Sequence, residues 1–118
     1  MLRQRRIMFR MVIIETSIFT KKIIALLNDE EYRSLQNDLI ETPTLGDLIQ
    51  GTGGIRKVRW GVSGRGKRSG IRVIYYWATR HDQIFMLHAY AKNELDNLTK
   101  DQLSALKEIV VMEFKDAK

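Results

Sequence analysis

The sequence has no cysteine, and His81 and His88 are its only imidazoles. Without thiols the chain forms neither a disulfide framework nor a thiolate metal site. No cluster of carboxylates lies near either histidine in the sequence, which argues against a catalytic zinc centre. We therefore expect chemistry that uses neither a metal ion nor a cofactor.

Long apolar runs are also missing. No run approaches the roughly 20 residues that a membrane-spanning helix needs. Residues 1–11 are basic, but the apolar stretch and cleavage site of a signal peptide do not follow them. The interpretation is a cytoplasmic protein that engages no membrane. Its 118 residues fit one domain, expected over residues 12–118 after a disordered basic extension over residues 1–11.

Three helices are indicated by cap residues that precede apolar residues at helical spacing. The cap residues are Thr16 or Ser17 for the first helix, Asn28 with Glu31 for the second, and Thr99 with Gln102 for the third. Pro43, the single proline, ends the second helix, because the residue before a proline is pushed out of the helical region.

Short runs rich in β-branched and aromatic residues predict four strands. They cover Met11 to Glu15, Ile55 to Trp60, Ile71 to Thr79 and Ile84 to Ala91. A short polar turn joins the last two, so they should form a hairpin. The order of elements predicts an α+β fold, in which two N-terminal helices and a C-terminal helix pack on a mainly antiparallel four-stranded sheet.

Acidic residues are scarce in the part of the chain that holds most of these strands. Between Gly51 and Asn93 there is one acid, Asp82, against nine of the twenty Lys and Arg residues. This segment carries +8, whereas the whole chain carries +6. Positive charge concentrated in one segment attracts polyanions such as nucleic acid. The alternative is a basic surface that only keeps the protein soluble.

Strand alternation assigns three of these charges to one place, since successive side chains of a strand point to opposite sides. Lys57 and Arg59 share one side of their strand. An unpaired arginine is costly to bury, so we expect Arg72 at a solvent-open groove beside Lys57 and Arg59. The alternative is a buried ion pair between Arg72 and Asp38 or Asp47.

The joining segment GVSGRGKRSG combines glycine with three cations, Arg65, Lys67 and Arg68. We expect it to be a flexible arm that fits a sugar–phosphate backbone. It lacks the GKS or GKT of a nucleotide-binding phosphate loop, so nothing in it favours nucleotide hydrolysis.

Basic side chains of this kind can cleave RNA without a metal ion. The reaction needs a 2′-hydroxyl in line with phosphorus, neutralised phosphoryl oxygens, and proton transfer at the attacking and leaving oxygens. Arginine and lysine supply the neutralising charge. Because nearby cations disfavour the charged form of a lysine, a crowded lysine can also carry a proton. Composition does not decide between cleavage of RNA and binding alone.

Three linked motifs are similar to those of a known protein family: GTGGIRKVRW, GRGKRSGIRVIYYW, and YAKNE followed by a terminal helix. From about Val12 onward the chain resembles the RelE/ParE superfamily of toxins of type II toxin–antitoxin systems, in particular its HigB-type branch. The resemblance implies an endoribonuclease that needs no metal and cleaves mRNA in the ribosomal A site, close to rRNA. It also implies a cognate helix-turn-helix antitoxin as a partner, with operator DNA bound only through that antitoxin.

The resemblance further implies roles for particular residues. Arg72 would stabilise the scissile phosphate, Lys57 would carry a proton, and Arg59 with Lys92 would stabilise transition-state charge and hold the substrate. A second set is expected to contact RNA: Arg56, Arg65, Lys67, Arg68, Tyr90 and Asn93.

Two positions depart from the family pattern. Asn93 stands where relatives have an arginine and Thr99 stands near the position of a tyrosine, so those two functions are not carried over. His88 is either an acid or base near neutral pH or a histidine satisfied within the sheet. Tyr90 either stacks on a base or is half-buried in the sheet. Two other functions stay open: a ParE-like inhibitor of DNA gyrase, and an RNA-binding module without catalysis.

Overall fold

Three helices, five strands and a 3-10 turn make up the described part of the chain in a computed structural model. That part covers residues 11–62, 66–92 and 97–114, with the backbone alone described at 62 and 66–69. The strands are β1 Val12–Glu15, β2 Asp47–Leu48, β3 Ile55–Val62, β4 Gly66–Ala78 and β5 Gln83–Ala91. The helices are α1 Ser17–Leu26, α2 Asp29–Glu41 and α3 Lys100–Glu113, and the 3-10 turn Thr79–His81 lies between β4 and β5.

The predicted helix starts are confirmed. Thr16 Oγ1 accepts a hydrogen bond from the Phe19 N–H at 3.0 Å, so Thr16 rather than Ser17 caps α1. Capping boxes open the other two helices, with Asn28 and Glu31 at α2 and Thr99 and Gln102 at α3. Each cap satisfies a backbone N–H of the first turn and typically contributes about 1 kcal/mol. As expected, α2 ends just before Pro43.

The sheet has five strands in the order β1-β5-β4-β3-β2. β1 runs parallel to β5, and the other neighbouring strands are antiparallel. The α+β class is confirmed, but the prediction of four strands is wrong by one. The additional strand, β2, is only 2 residues long, which is too short to produce an alternating pattern in the sequence.

Most of the glycine-rich segment that we predicted as a loop is strand. β3 continues to Val62 and β4 begins at Gly66, and these two residues are register partners. The register shifts between Trp60 and Val62. Glycine has no side chain to mark a sheet face, so the alternation in the sequence stops before the strand does.

Helices cover both faces of the sheet. On the first, which we call the α1/α2 face, the buried cluster contains Phe19, Ile23, Leu27, Leu35 and Leu39 of the helical layer with Val58, Val73, Tyr75 and Met86 of the sheet. On the second, the α3 face, it contains Leu106, Val110 and Phe114 with Ile55, Ile74, Tyr76, Phe85, Leu87 and Tyr90. Trp60 and Trp77 pack against the first cluster.

The expected basic extension falls on residues 1–10, which lie outside the described residues, and on Met11. Met11 is partly buried and packs against the core of the α1/α2 face. In the three described ranges, no helix is both long and apolar enough to cross a membrane.

Candidate active site

Two rows of residues cross the α3 face from β3 over β4 to β5. The first row is Arg59, Arg72 and Tyr90, and the second is Lys57, Ile74 and His88. Register partners on neighbouring strands present side chains to the same face, with Cβ atoms about 4.5–5.5 Å apart. Ile74 and Tyr90 belong to the buried cluster of the α3 face, so the two rows lie on that face. We call these residues the site rows.

Arg72 lies where the alternation placed it, beside Lys57 and Arg59, but it is less open to solvent than expected. Its exposed fraction is 7%, whereas Arg59 in the same row is exposed. The first site row therefore contains one buried guanidinium, that of Arg72, beside one exposed guanidinium, that of Arg59. The expectation of a solvent-open position for Arg72 is wrong in this respect, because the residue sits on the central strand between two neighbours.

The ion pair considered for Arg72 is not formed within the described part of the chain. The Asp38 carboxylate accepts a hydrogen bond from Trp60 Nε1 at 3.1 Å, and Trp60 packs on the α1/α2 face. Asp47 is the register partner of Lys57 and not of Arg72. The guanidinium of Arg72 is thus not neutralised by either carboxylate.

Lys57 is held by a residue that sequence reasoning missed. Its Nζ donates a hydrogen bond to Asn97 Oδ1 at 2.8 Å. Both residues line a small cavity of about 60 Å³ together with Ile49, Ile74, Tyr90, Leu98 and Leu103. Asn97 lies 40 positions from Lys57 in the chain, so no local pattern could have indicated the contact.

A β-bulge brings His88 into the site rows. The register shifts between Ile74 and Tyr75, whose partners on β5 are His88 and Met86. The extra residue lets both Leu87 and His88 contribute to the α3 face, where strict alternation would have separated them. The His88 ring lies edge-on to the Tyr90 ring at 5.9 Å between centroids. Its Nδ1 accepts the Ala89 N–H at 2.8 Å.

Tyr90 and Lys92 differ in their availability to a ligand. Tyr90 is 1% exposed, so its ring is not available to stack on a base in this structure; of the two alternatives, packing within the sheet is the one observed. Lys92 is exposed and follows the last residue of β5. Its backbone N–H donates to the Gly70 carbonyl at 3.4 Å, which places it next to the first site row.

Arg56 is not brought together with the site rows. Its Nη1 donates to the Gly46 carbonyl at 2.7 Å, and Tyr75 Oη accepts the Gly46 N–H at 2.9 Å while donating to the Pro43 carbonyl at 2.7 Å. Burial is the main factor that raises the pKa of Tyr75, so the phenol stays a donor. Arg56 thus fastens the segment before β2.

The remaining expected RNA contacts are not placed by the structure. Arg65 and Asn93 lie outside the described residues, and so do the side chains of Lys67 and Arg68.

The cavity that Lys57 lines among the described residues is too small for a small-molecule ligand. The cavity beside Lys57 is about 60 Å³, well below the roughly 300–1,000 Å³ typical of small-molecule sites. A larger open hollow of about 510 Å³ lies along α3 and holds none of the predicted site residues. Among the described residues, no group of three or more carboxylate, imidazole or thiol side chains is arranged to hold a metal ion. Because the site rows run across three neighbouring strands, they suit an extended ligand that lies across the sheet.

The fold places the chain in a known structural class. It is similar to the solved structure of a double arginine-to-alanine mutant of the E. coli toxin RelE in the free state, with a TM-score of 0.54. The similarity covers 86% of this chain and 97% of the E. coli chain, at 10% sequence identity. The two chains therefore share an α+β fold although they have few residues in common.

Residues 17–117 match the sequence profile of the family described as RelE toxin of the RelE/RelB toxin–antitoxin system. The match spans most of the chain, so the protein belongs to the RelE family and is a toxin of a toxin–antitoxin pair.

Proposed function

We propose that this toxin is an endoribonuclease that cleaves mRNA in the ribosomal A site, without a metal ion, and thereby inhibits translation. The observation that carries the proposal is the convergence of Lys57, Arg59 and Arg72 in the site rows, with Lys92 at their end. Four cations around one strip of the sheet match the charge of a phosphodiester and its neighbouring phosphates. Because the site rows cross three strands, they offer a row of contacts to a single strand of RNA.

Each cation has a distinct task in this proposal. The 2′-hydroxyl loses its proton as its oxygen attacks phosphorus. The bond from phosphorus to the 5′-oxygen breaks and that oxygen takes up a proton, which leaves a cyclic phosphate and a 5′-hydroxyl. Arg72 donates hydrogen bonds to the phosphoryl oxygens, where charge grows in the transition state. Lys57 carries one of the two protons that are exchanged at the 2′-oxygen and the 5′-oxygen. Arg59 and Lys92 hold the flanking phosphates.

The cognate antitoxin is proposed to be a helix-turn-helix protein, as in the HigB-type branch. Operator DNA would then be contacted by the antitoxin and not by the toxin. The toxin's own nucleic-acid contacts would be mRNA and the rRNA of the A site.

Cutting of ribosome-bound mRNA tests the proposal. Primer extension on programmed ribosomes should show discrete cuts at the A-site codon with the wild-type protein. Arg72→Ala should reduce cutting by at least about 100-fold, as removal of one transition-state hydrogen-bond donor does elsewhere. Arg72→Lys keeps the charge and most of the volume but loses the planar fork, and it should also be strongly impaired.

Arg33→Ala is the matched control, because Arg33 is an exposed arginine of α2, and it should cut like the wild type. Thermal unfolding of each variant shows whether lost activity comes from lost folding. If the wild-type protein leaves mRNA intact and instead blocks DNA supercoiling, the gyrase alternative replaces this proposal. If the wild-type protein binds RNA without cutting it, the RNA-binding alternative replaces this proposal.

A further inference from the structure

The ammonium of Lys57 is anchored across the site by one neutral side chain. Lys57 Nζ donates to Asn97 Oδ1 at 2.8 Å. Lys57 belongs to β3, and Asn97 to the segment that enters α3. A flexible four-carbon side chain would otherwise sample many rotamers, so this bond selects a subset of them.

Asn97 is itself well fixed, although its side chain is exposed. The next residue, Leu98, is 9% exposed and belongs to the cluster of the α3 face. Thr99 then caps α3: its Oγ1 accepts the Gln102 N–H at 3.1 Å, and Gln102 Oε1 accepts the Thr99 N–H at 2.8 Å. A buried leucine and a capping box thus hold the backbone that presents the amide to Lys57.

The chemistry of the acceptor matters as much as its position. An amide oxygen orients an ammonium without cancelling its charge, whereas a carboxylate would form an ion pair and compete with phosphate. Charged neighbours of Lys57 within the sheet include Asp47, its partner on β2, and Arg59 and Arg72 in the adjoining row. A second carboxylate at position 97 would weaken the positive field of the site rows.

We propose that Asn97 is a positioning residue for Lys57, and that its amide keeps the ammonium oriented and free to act on the RNA. The inference rests on the proposed cleavage of mRNA for its kinetic consequence. The hydrogen bond between Lys57 and Asn97 can also be tested by a measurement that does not depend on cleavage.

Three variants test it: Asn97→Ala, Asn97→Asp, and the control Asn37→Asp. Asn37 is an exposed asparagine of α2, so the control makes the same chemical change far from Lys57. In cleavage of ribosome-bound mRNA, Asn97→Ala should lower kcat about ten-fold with KM nearly unchanged, because only the placement of Lys57 is lost. Asn97→Asp should raise KM as well, since the carboxylate competes with phosphate for the ammonium. The control should match the wild type, and all three should keep the wild-type Tm.

The independent readout is the ¹⁵N signal of the Lys57 ammonium. It should be observable in the wild-type protein and in Asn97→Asp, and lost to exchange in Asn97→Ala. Wild-type signal and kinetics in Asn97→Ala, or wild-type kinetics in Asn97→Asp, would overturn the inference. If wild-type protein fails to cut mRNA while the signal responds as described, the proposed function is wrong and the anchoring contact stands.

Discussion

Arg72 carries a permanent charge at a position that is only 7% exposed. Burial of a charge opposes folding, so an arginine here is poorly explained by stability alone. A covered guanidinium is little screened by water or salt, and its attraction to a phosphate is stronger than that of an exposed arginine. Arg59, its exposed neighbour in the same row, is suited to bind the RNA as it arrives. Arg72 is suited to bind the reacting phosphate in the proposed reaction.

A second polar arrangement at the residue scale serves the fold. Glu15 at the end of β1 accepts hydrogen bonds from Tyr32 Oη at 2.5 Å and Thr20 Oγ1 at 2.6 Å. One carboxylate thus joins β1, α1 and α2, and Tyr32 also contacts the Phe19 ring at 5.9 Å between centroids. The contact fixes the helical layer against the edge of the sheet.

Tyr32→Phe should therefore destabilise the protein by about 1–3 kcal/mol, because it leaves a partly buried carboxylate oxygen without its donor. Chemical denaturation at neutral pH measures the change. Thr20→Val is the companion variant, since it removes the other donor to the same carboxylate. Unfolding free energies equal to that of the wild type in both variants would contradict a structural role for the contact.

The pH dependence of stability gives a second test of Tyr32. Burial, followed by the hydrogen bond to Glu15, raises the pKa of Tyr32 above its usual value near 10. For a group whose pKa is raised on folding, the stabilisation is fully present below the unfolded pKa and is lost as pH rises through the folded pKa. The free energy of unfolding should therefore fall above about pH 10. The pKa of Tyr75 is also raised, so Tyr75 contributes to the same loss of stability at high pH. The contribution of Tyr32 is the difference between the wild type and Tyr32→Phe.

At the scale of elements, the two-residue strand β2 matters more than its length suggests. The Gly46 carbonyl and N–H bond to Arg56 and Tyr75, and β2 then pairs with Lys57 and Arg56. A Cβ atom at Gly46 would lie 2.9 Å from the backbone carbon and oxygen of Lys57. Only glycine lets the segment approach the strand that carries Lys57 so closely.

Gly46→Ala should push β2 away from β3 and cost about 1–3 kcal/mol of stability, as overpacking does in other cores. Gly61→Ala is the matched control on β3, because nothing lies within 4 Å of a Cβ placed there. Thermal unfolding should show a lowered Tm for Gly46→Ala and little change for Gly61→Ala. Equal Tm values for the two variants would mean that the close approach is not a constraint.

At the scale of the whole molecule, charges of opposite sign are concentrated in different segments of the chain. The segment 12–50, which forms β1, the helical layer and β2, carries −4, while the segment 51–93 carries +8. Three acids, Asp29, Glu30 and Glu31, occupy the first turn of α2. Of the basic segment, Lys57, Arg59 and Arg72 share one face of the sheet, and an uneven distribution of charge orients a protein as it approaches a polyanion.

If the toxin acts on ribosomes as proposed, its association with them should weaken steeply with salt. The logarithm of the apparent binding constant should fall linearly with the logarithm of salt concentration, as counterions are released from phosphates. Arg59→Gln should reduce the magnitude of this slope by about one, the effect of one lost phosphate contact. Arg33→Gln, on α2, should leave the slope unchanged. A wild-type slope near zero would rule out phosphate contacts as the main source of affinity.

Local chemistry in the sequence was enough to predict much of this protein. The caps at Thr16, Asn28 and Thr99 are visible because capping depends on residues within one helical turn. Alternation in β3 and β4 placed Lys57, Arg59 and Arg72 on one face, since a strand's side chains alternate wherever the strand lies.

Only the tertiary structure decided the rest. β2, the bulge that brings His88 to the α3 face, and the bond from Lys57 to Asn97 all depend on which distant segments pack together. The burial of Arg72 and Tyr90, and the use of Arg56 to fasten Gly46, have the same origin. Periodicity and capping are properties of short stretches, whereas register shifts, burial and contacts between distant residues arise only when the whole chain is packed.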